Sequence, residues 1–288
     1  TNKLIHVEST EANLTRTPMA KLHVRGCLET IFGRIVERYS NDAHSYIKIV
    51  PNEKSGVEQE RINEDKKNAD LEMHFECDDL EAYRSDATPI KPQRLMRDLP
   101  KLFPPHTRYL ADSGNSFAWG THYLHPFDRR LAGMRVQGGL FSTSMDFASM
   151  GWAIGSAVGT ALALPGTPVV CITGDGSWLM SGQELTVAIE EKLSLIFVIL
   201  NDSAYGMVKH GQMLTGAERI ANKLAKVDFC AVAKAMGAHG EIIESPEQLN
   251  ALDISAICNR AGPTLLDVRI DPNEKPPIKL RTNVLKTK

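Results

Sequence analysis

The sequence predicts an α/β fold with a doubly wound parallel sheet, and two apolar runs carry that prediction. Residues 169–173 and 195–200 are rich in β-branched side chains and contain no charged residue, which is typical of parallel strands buried on both faces. The stretch between them, 181–192, has the length and composition of a crossover helix. The three segments form a β-α-β unit, whose right-handed crossover brings both carboxyl ends to the same edge of a sheet.

Helices and strands alternate on both sides of this unit from residue 93 onward. Such alternation favours a parallel sheet. We expect further strands at 108–112, 238–243 and 263–270, and further helices at 93–99, 151–164, 228–236 and 246–260. Gly151, Gly155 and Gly159 recur every four residues in one of these helices, and this spacing predicts close packing of one helix face.

The composition excludes several functional classes. The chain has 288 residues, of which 42% are hydrophobic, so it can bury a large core in one or two domains. Its net charge of −2 gives no reason to expect nucleic acid or a membrane surface as a partner. No apolar run approaches the length of a transmembrane helix. Five cysteines are scattered without a Cys-x-x-Cys pair, which favours a reducing, cytoplasmic location over a zinc site or a disulfide framework.

Polar residues follow both strands of the β-α-β unit. Gly174-Asp175-Gly176-Ser177 comes directly after the first strand, and Asn201-Asp202 comes directly after the second. Ligands of open α/β sheets bind at this edge, outside the carboxyl ends of the strands. Two carboxylates suit a Mg²⁺ ion that keeps further positions for a diphosphate, and flanking glycines let the backbone approach phosphate oxygens. A Gly-Asp-Gly triplet alone also occurs in turns, so the prediction depends on both halves of the motif.

With this two-part motif the chain resembles the thiamine-diphosphate (ThDP) enzymes, and within them the acetolactate synthase group. Other segments extend the resemblance over most of residues 90–275. These segments are Ile90-Lys91-Pro92-Gln93, Ala111-Asp112-Ser113-Gly114-Asn115, Gly138-Gly139-Leu140 with Ser149-Met150-Gly151, and Tyr205-Gly206-Met207-Val208. The resemblance implies thiamine diphosphate and Mg²⁺ as cofactors, whereas FAD stays an open alternative that nothing in the sequence indicates.

The resemblance also implies roles for individual residues. Asp175 and Asp202 would be side-chain ligands of the metal, and Ala204 would be a ligand through its backbone carbonyl. Met150 resembles the apolar residue that lies between the two rings of the cofactor, and Met207 is expected close to the thiazolium ring. The expected cofactor site consists of Gly114, Asn115, Ser116, Ser149, Met150, Gly174, Asp175, Gly176, Ser177, Asp202, Ala204, Tyr205, Gly206 and Met207.

Several positions depart from the family pattern. The family usually has Asn where Asp202 stands, so this chain would add a negative charge near the diphosphate. Asn115-Ser116 stands where the family often has Gln-His. Gly211 stands where acetolactate synthases place a Trp that shapes the acceptor pocket, which implies a wider pocket or a different acceptor. Lys209-His210 either faces the substrate or lies in solvent.

The N-terminal part resembles another domain of the same family. Residues 1–50 are similar to the C-terminal part of the α/β middle domain, with a strand at 3–8 and an amphipathic helix at 28–36. Residues 51–89 are polar and are expected to form a linker or insertion, and residues 90–288 are expected to form the ThDP- and Mg²⁺-binding domain. In the family, a Glu on a separate N-terminal domain activates the cofactor. No such domain fits here, so we expect a C-terminal fragment that has no catalytic residue of its own and is inactive alone.

The resulting hypothesis is the C-terminal part of an acetolactate synthase-like decarboxylase or carboligase that acts on a 2-oxo acid. We expect a homodimer or homotetramer whose interface lies near residues 114–119, Met150 and residues 205–212. A catalytically silent ThDP-binding paralogue and a different 2-oxo-acid decarboxylase stay open as alternatives. The segment like the middle domain argues against a stand-alone subunit that borrows a second chain. A nucleotide-binding Rossmann module is disfavoured because no Gly-x-Gly-x-x-Gly follows a strand.

Overall fold

The computed structural model describes residues 5–8, 22–25, 27, 30–31, 33, 79–124, 140–144 and 146–277. The chain divides into two compact units, Thr1–His74 and Phe75–Lys288. In the first unit, strands β1 (Ile5–Glu8) and β2 (Leu22–Arg25) pair in parallel, and β1 agrees with the strand expected at 3–8. Residues 30, 31 and 33 of the helix expected at 28–36 are helical. Residues 51–78 of the segment expected as a linker lie outside the described residues.

A six-stranded, all-parallel sheet forms the centre of the second unit. Its strands are β3 (Arg108–Ala111), β4 (Phe141–Thr143), β5 (Val169–Gly174), β6 (Leu195–Asn201), β7 (His239–Ile243) and β8 (Thr264–Arg269). They are arranged in the spatial order β4-β3-β5-β6-β8-β7. The expected α/β fold with a parallel sheet is therefore confirmed.

Helices connect these strands and cover both faces of the sheet. They are α1 (Leu80–Arg84), α2 (Pro92–Leu102), α3 (Asn115–Tyr123), α4 (Trp152–Ala163), α5 (Asp175–Ser181), α6 (Leu185–Glu190), α7 (Gly206–Thr215), α8 (Phe229–Met236), α9 (Pro246–Asn250) and α10 (Ile254–Cys258). A 3₁₀ turn, Gly182–Glu184, joins α5 to α6. Among the described residues, none of the helices combines the length and the apolar character needed to cross a bilayer.

The central strands are apolar throughout because they are buried on both faces. In β5, Val170 and Ile172 belong to one hydrophobic cluster, which includes residues of α2 and α3. Val169 and Cys171 belong to a second cluster on the other face, which includes residues of α4 and α8. Side chains of successive strand residues point to opposite faces, so an unbroken apolar run is what a doubly covered strand requires.

Some elements differ from the sequence-based expectation. The crossover helix begins earlier than residue 181, since α5 starts at Asp175 and continues through the 3₁₀ turn into α6. The helix expected at 246–260 is two helices, because the Ser245 and Asp253 side chains each cap a separate helix start. The short strand β4 and the helices α3 and α7 were not expected.

The glycines of α4 also differ among themselves. Gly151, just before the helix, has a φ of +91°, and a Cβ there would lie 2.1 Å from Oγ of Ser181, so close packing requires glycine at this position. A Cβ at Gly155 or Gly159 would meet no neighbouring heavy atom of the described chain within 4 Å. The close packing expected along this face is therefore not made within the described part of the chain.

Candidate functional site

A cavity lies at the carboxyl edge of the sheet, where β5 and β6 end. Asp175 is the first residue of α5, directly after β5, and Asp202 directly follows β6. Gly174 pairs with Leu200, so the two strands end side by side. Both aspartates line the cavity, which has a volume of about 90 Å³. The structure thus brings the two halves of the sequence motif together.

Nearly all residues expected at the site line this cavity. They are Gly114, Asn115, Ser116, Met150, Gly174, Asp175, Gly176, Ser177, Asp202, Ala204, Tyr205, Gly206 and Met207. Ser149 is not among them. It is exposed, and its carbonyl accepts a hydrogen bond from the N–H of Trp152. The cavity also includes Ser113, Leu200, Val208 and Ile270, which were not expected. Leu200 and Ile270 lie at the ends of β6 and β8, where apolar strand sequences gave no sign of a role at the site.

Asp175 is buried, with only 3% of its surface exposed. Its Oδ1 accepts a hydrogen bond from the N–H of Gly176 at 2.7 Å, and its Oδ2 accepts one from the N–H of Ala204 at 3.3 Å. Burial raises the pKa of Asp175 to about 7, the neighbouring Asp202 carboxyl adds to the rise, and the backbone hydrogen bonds oppose it. The carboxyl group therefore joins the end of β5 to the loop after β6.

Asp202 is half-buried and shares the same environment. Burial raises the pKa of its carboxyl to about 6, and the positive charge of Lys209 opposes this rise. Each aspartate thus has a carboxyl group that resists ionisation in the absence of a compensating positive charge. The described residues contain no group of three or more His, Cys, Asp or Glu side chains that could hold a metal ion. A cation between these two carboxylates would therefore take its other ligands from backbone atoms, water or a bound molecule.

Two glycines at the cavity make room for neighbouring side chains. A Cβ at Gly176 would lie 2.6 Å from the Tyr205 ring and 3.5 Å from the methyl group of Met150. A Cβ at Gly206 would lie 2.3 Å from Nδ2 of Asn115. Neither glycine has the positive φ that only glycine adopts easily, so what excludes a larger residue is the space. The second glycine of Gly-Asp-Gly therefore serves to pack Tyr205 against the start of α5.

Asn115 and His210 meet across the space left by Gly206. The Nδ2 atom of Asn115 lies 3.2 Å from Nδ1 of His210, and the histidine is only 3% exposed. Burial, with the positive charges of Lys209 and Lys275, lowers the pKa of His210 to about 4. His210 is therefore a buried, neutral partner of a cavity residue. The alternative that it lies in solvent, which the sequence left open, does not hold.

Asp112 is a further buried carboxylate beside the cavity, which sequence reasoning placed at the end of a strand without giving it a role. Its Oδ2 accepts hydrogen bonds from the N–H of Gly151 and the hydroxyl of Thr173, each at 2.9 Å. Its Oδ1 accepts hydrogen bonds from the N–H groups of Ser113 at 2.9 Å and Ala153 at 3.3 Å. An aspartate directly after an apolar strand and before Ser-Gly was the signal available in the sequence.

Asp267 forms a second buried network behind the end of β6. It is fully buried in β8 and accepts hydrogen bonds from Nδ2 of Asn201 at 2.8 Å and from the N–H of Phe229 at 3.1 Å. Arg269 also donates to it, at 2.9 Å. Burial raises the pKa of Asp267, and these partners oppose the rise. Asn201 thus faces away from the cavity, and Asp202 is the residue of the pair that lines it.

The chain is similar in sequence to a known family of proteins. The chain matches the family model "Thiamine pyrophosphate enzyme, C-terminal TPP binding domain" over residues 112–268, more than half of its length. It is 28% identical to a probable acetolactate synthase large subunit of Methanococcus aeolicus, with 98% of this chain and 46% of that protein aligned.

Two further relatives cover a smaller part of the chain. A putative acetolactate synthase large subunit of Mycobacterium tuberculosis is 32% identical over 66% of this chain and 33% of that protein. A sulfoacetaldehyde acetyltransferase of Alcaligenes xylosoxydans is 27% identical over 61% of this chain and 28% of that protein. The chain spans less than half the length of these curated relatives.

Proposed function

The chain belongs to the thiamine pyrophosphate enzymes, and on that premise we propose that it is the ThDP- and Mg²⁺-binding part of an acetolactate synthase-like 2-oxo-acid decarboxylase or carboligase. One observation carries the proposal: Asp175 and Asp202, from neighbouring parallel strands, line one cavity together with Gly174 and Gly176. The names of the acetolactate synthase relatives support the reaction class. A cytoplasmic location is part of the proposal, supported by the five cysteines that are scattered through the sequence without a Cys-x-x-Cys pair.

The residues of the cavity fit a divalent cation. Two carboxyl groups with raised pKa values share a small cavity, and a dication between them would compensate both charges. Carboxylate and carbonyl oxygens are the ligands that Mg²⁺ prefers. Asp175 and Asp202 would hold the ion through their side chains and Ala204 through its carbonyl oxygen, which leaves further positions for a diphosphate and water.

The other cavity residues suit the diphosphate and the rings of the cofactor. Ser116 and Ser177 are buried polar residues at the starts of α3 and α5, and Gly174 and Gly176 present backbone without a side chain. Met150 and Met207 add apolar surface to the cavity. When bound, ThDP would supply the electron sink that decarboxylation of a 2-oxo acid requires. The apolar side chains of this chain would exclude water from that reaction.

The general acid that activates the cofactor is proposed to lie outside this chain. Among the described residues that line the cavity, only Asp175 and Asp202 carry carboxyl groups, and both are assigned to the metal. Each also lies at the carboxyl edge of the sheet, where the diphosphate would be held. This supports the view that the chain binds ThDP without containing a catalytic residue, and that it is inactive alone.

A second copy of the chain is the proposed partner, as a homodimer or homotetramer. The cavity of about 90 Å³ is much smaller than the roughly 300–1,000 Å³ of pockets that enclose a ligand of drug size. Large apolar side chains around it are exposed, among them Met150, Val208 and Met213. The face of α4 that carries Gly155, Gly159 and Leu162 is exposed as well. A second subunit would cover this surface and complete the cofactor site.

The acceptor substrate is the least constrained part of the proposal. A Cβ at Gly211 would meet nothing within 4 Å in the described chain, so this position leaves space where a Trp would narrow a pocket. The sulfoacetaldehyde acetyltransferase among the relatives supports an acceptor other than a second 2-oxo acid. A catalytically silent paralogue is the second candidate, favoured by the additional carboxylate of Asp202, which would repel a diphosphate unless a cation neutralises it.

Calorimetry of ThDP binding tests the proposal. The 288-residue chain should bind ThDP with Mg²⁺ and lose this binding in EDTA, because a diphosphate cannot approach two carboxylates without a cation between them. Asp175→Asn should weaken Mg²⁺-dependent binding at least about tenfold, since it removes one charged oxygen ligand. Glu218→Gln is the matched control, because this carboxylate is exposed and outside the cavity. Equal ThDP affinity with and without EDTA would refute the metal assignment.

A further inference from the structure

Helix α4 begins without a cap of its own. Its N-cap residue is Gly151, which has no side chain to bind the unpaired N–H groups of the first turn. Asp112, at the end of β3 and 39 residues earlier in the chain, performs this task instead. It accepts hydrogen bonds from the N–H groups of Gly151 and Ala153, and its negative charge lies at the positive end of the helix.

The same carboxylate joins three segments that line the cavity. Ser113 follows it directly, Met150 precedes its partner Gly151, and Gly174 follows its partner Thr173. Asp112 itself is fully buried and does not line the cavity. One buried group therefore sets the positions of β3, α4 and β5 relative to each other at the edge where the ligand would bind.

We propose that Asp112 is a positioning residue that fixes Met150 against the cofactor by capping α4 from the neighbouring strand. The identity of the ligand in this inference rests on the proposed function. The hydrogen bonds of Asp112 do not depend on it. Met150 is exposed and its backbone lies next to the hydrogen-bonded Gly151, so that hydrogen bond restrains where its side chain stands. Without it, the start of α4 is free to move relative to β5 and Asp175.

Two substitutions separate this role from ordinary stability. Both Gly151 and Thr173 donate to Oδ2 of Asp112. In Asp112→Asn, an amide nitrogen at that position can still donate to the Thr173 hydroxyl, which can reverse, whereas the N–H of Gly151 can only donate and loses its partner. In Thr173→Val, the hydroxyl is removed and the bond to Gly151 remains. Each variant thus breaks one hydrogen bond to the same oxygen, but only Asp112→Asn breaks one that comes from the start of α4. The weaker bond from the N–H of Ala153 to Oδ1 remains in both variants.

The first measurement is the NMR signal of the Met150 methyl group, in the full 288-residue chain labelled with ¹³C at methionine methyls and without cofactor. The signal is assigned by its loss in Met150→Leu. We expect it to shift or broaden in Asp112→Asn and to stay in place in Thr173→Val. An unchanged signal in Asp112→Asn, or an equal change in both variants, would overturn the positioning role.

The second measurement is ThDP affinity by calorimetry with Mg²⁺. Asp112→Asn should weaken it about tenfold, as substitutions behind a ligand set typically do, and Thr173→Val should change it less than about twofold. Loss of the charge cannot explain weaker binding, because removing a negative charge favours an anionic ligand. Equal losses in both variants would overturn the inference. If the unmodified chain binds no ThDP, the proposed function fails, and the methyl signal still decides the role of Asp112.

A third measurement needs no variant and covers the case in which Asp112→Asn does not fold. The amide hydrogens of Gly151 and Ala153 should exchange with solvent at least about ten times more slowly than those of the exposed Asp146 and Phe147. Such protection is what hydrogen bonds to a fully buried carboxylate produce. Exchange of the Gly151 amide as fast as that of Phe147 would overturn the proposal.

Discussion

The side-chain amide of Asn115 donates a hydrogen bond to Nδ1 of His210, with 3.2 Å between the two nitrogens. Because Nδ1 accepts, the proton of the neutral imidazole is on Nε2. The contact links the start of α3 to the middle of α7, and it passes through the space that Gly206 leaves empty. Two residues that are 95 positions apart thereby determine the shape of one side of the cavity.

Gly206→Ala should break this contact. The new Cβ would lie 2.3 Å from Nδ2 of Asn115, which is closer than non-bonded atoms approach. We expect the free energy of unfolding to fall by about 1–3 kcal/mol, as in other overpacked sites, together with weaker ThDP binding. Gly211→Ala is the control, since its Cβ meets nothing within 4 Å. Thermal unfolding of the two variants checks the expectation, and equal melting temperatures would contradict it.

The raised pKa of Asp175 predicts a pH dependence of stability in the chain without metal. The carboxyl group has a pKa of about 7 in the folded chain and about 4 in the unfolded chain. Between these values the folded state binds more protons, so stability falls as pH rises from about 4 to about 7. Asp175→Asn lacks this titration. It should become more stable than the unmodified chain over this range, by at most about 4 kcal/mol. Urea unfolding at several pH values in EDTA measures the difference.

Comparing the two proteins isolates Asp175 from His210, whose lowered pKa acts in the opposite direction. His210 stays neutral in the folded chain down to a pH of about 4, whereas it gains a proton in the unfolded chain below about pH 6.5. Its contribution to the free energy of unfolding is therefore lost as pH falls below about 6.5. It is present in both proteins and cancels in the difference. Saturating Mg²⁺ should reverse the order of stability above pH 7, because only the unmodified chain retains both charged ligands. A difference that does not change with pH would count against the buried, protonated carboxyl group.

The central sheet could be predicted from sequence because its determinants are local. The strands β5 and β6 are apolar on both faces, and turn residues follow each of them. Both strands could therefore be predicted without knowledge of the strands that pair with them. The short strand β4 could not be predicted in the same way, because three residues carry no periodicity and Phe141–Thr143 is a strand only through its pairing with β3. The break at Asp253 was not predicted, because the expected helix at 246–260 ran across it.

The residues of the candidate site also differ in whether the local sequence predicts their arrangement. Asp175, Asp202 and the flanking glycines are close to strand ends, so the motif alone placed them together. The orientation of His210 depends on Asn115, and the role of Asp112 depends on Gly151 and Thr173, all distant in sequence. Contacts of this kind follow from tertiary packing, which a single sequence does not reveal. Gly155 and Gly159 lack the expected close packing within the described chain. If a second chain packs against them, this difference also follows from contacts that a single sequence does not reveal.

The chain alone should release no CO₂ from pyruvate, even with ThDP and Mg²⁺ present. In the part of the chain that the structure describes, no residue lining the cavity offers a carboxyl group that is free of the proposed metal. Without such an acid the cofactor is not activated. A coupled CO₂ assay checks this, with buffer containing ThDP and Mg²⁺ as the background control. Release above that background from the purified chain would refute the assignment of catalysis to residues outside it.

Self-association should depend on the exposed face of α4. We expect light scattering at micromolar concentration to give a multiple of the chain mass of 31.8 kDa. Leu162→Asp should raise the dissociation constant at least about 100-fold, because it places a charge in an apolar contact. Leu80→Asp is the matched control, since Leu80 is 47% exposed and Leu162 is 46% exposed, but Leu80 lies on α1. A strictly monomeric unmodified chain would contradict the proposed partner.

Strand β8 is synthesised after β6 and β7 but lies between them in the sheet. Until it emerges from the ribosome, Asn201 lacks its partner Asp267, and both neighbouring strands have an unpaired edge. The end of β6 that precedes Asp202 is therefore paired on both sides only in chains translated through residue 269, and on the β5 side alone before that. Chains interrupted earlier keep exposed strand edges, which makes them targets for proteolysis. The surroundings of Asp202 are thus complete only once the last strand of the sheet has formed.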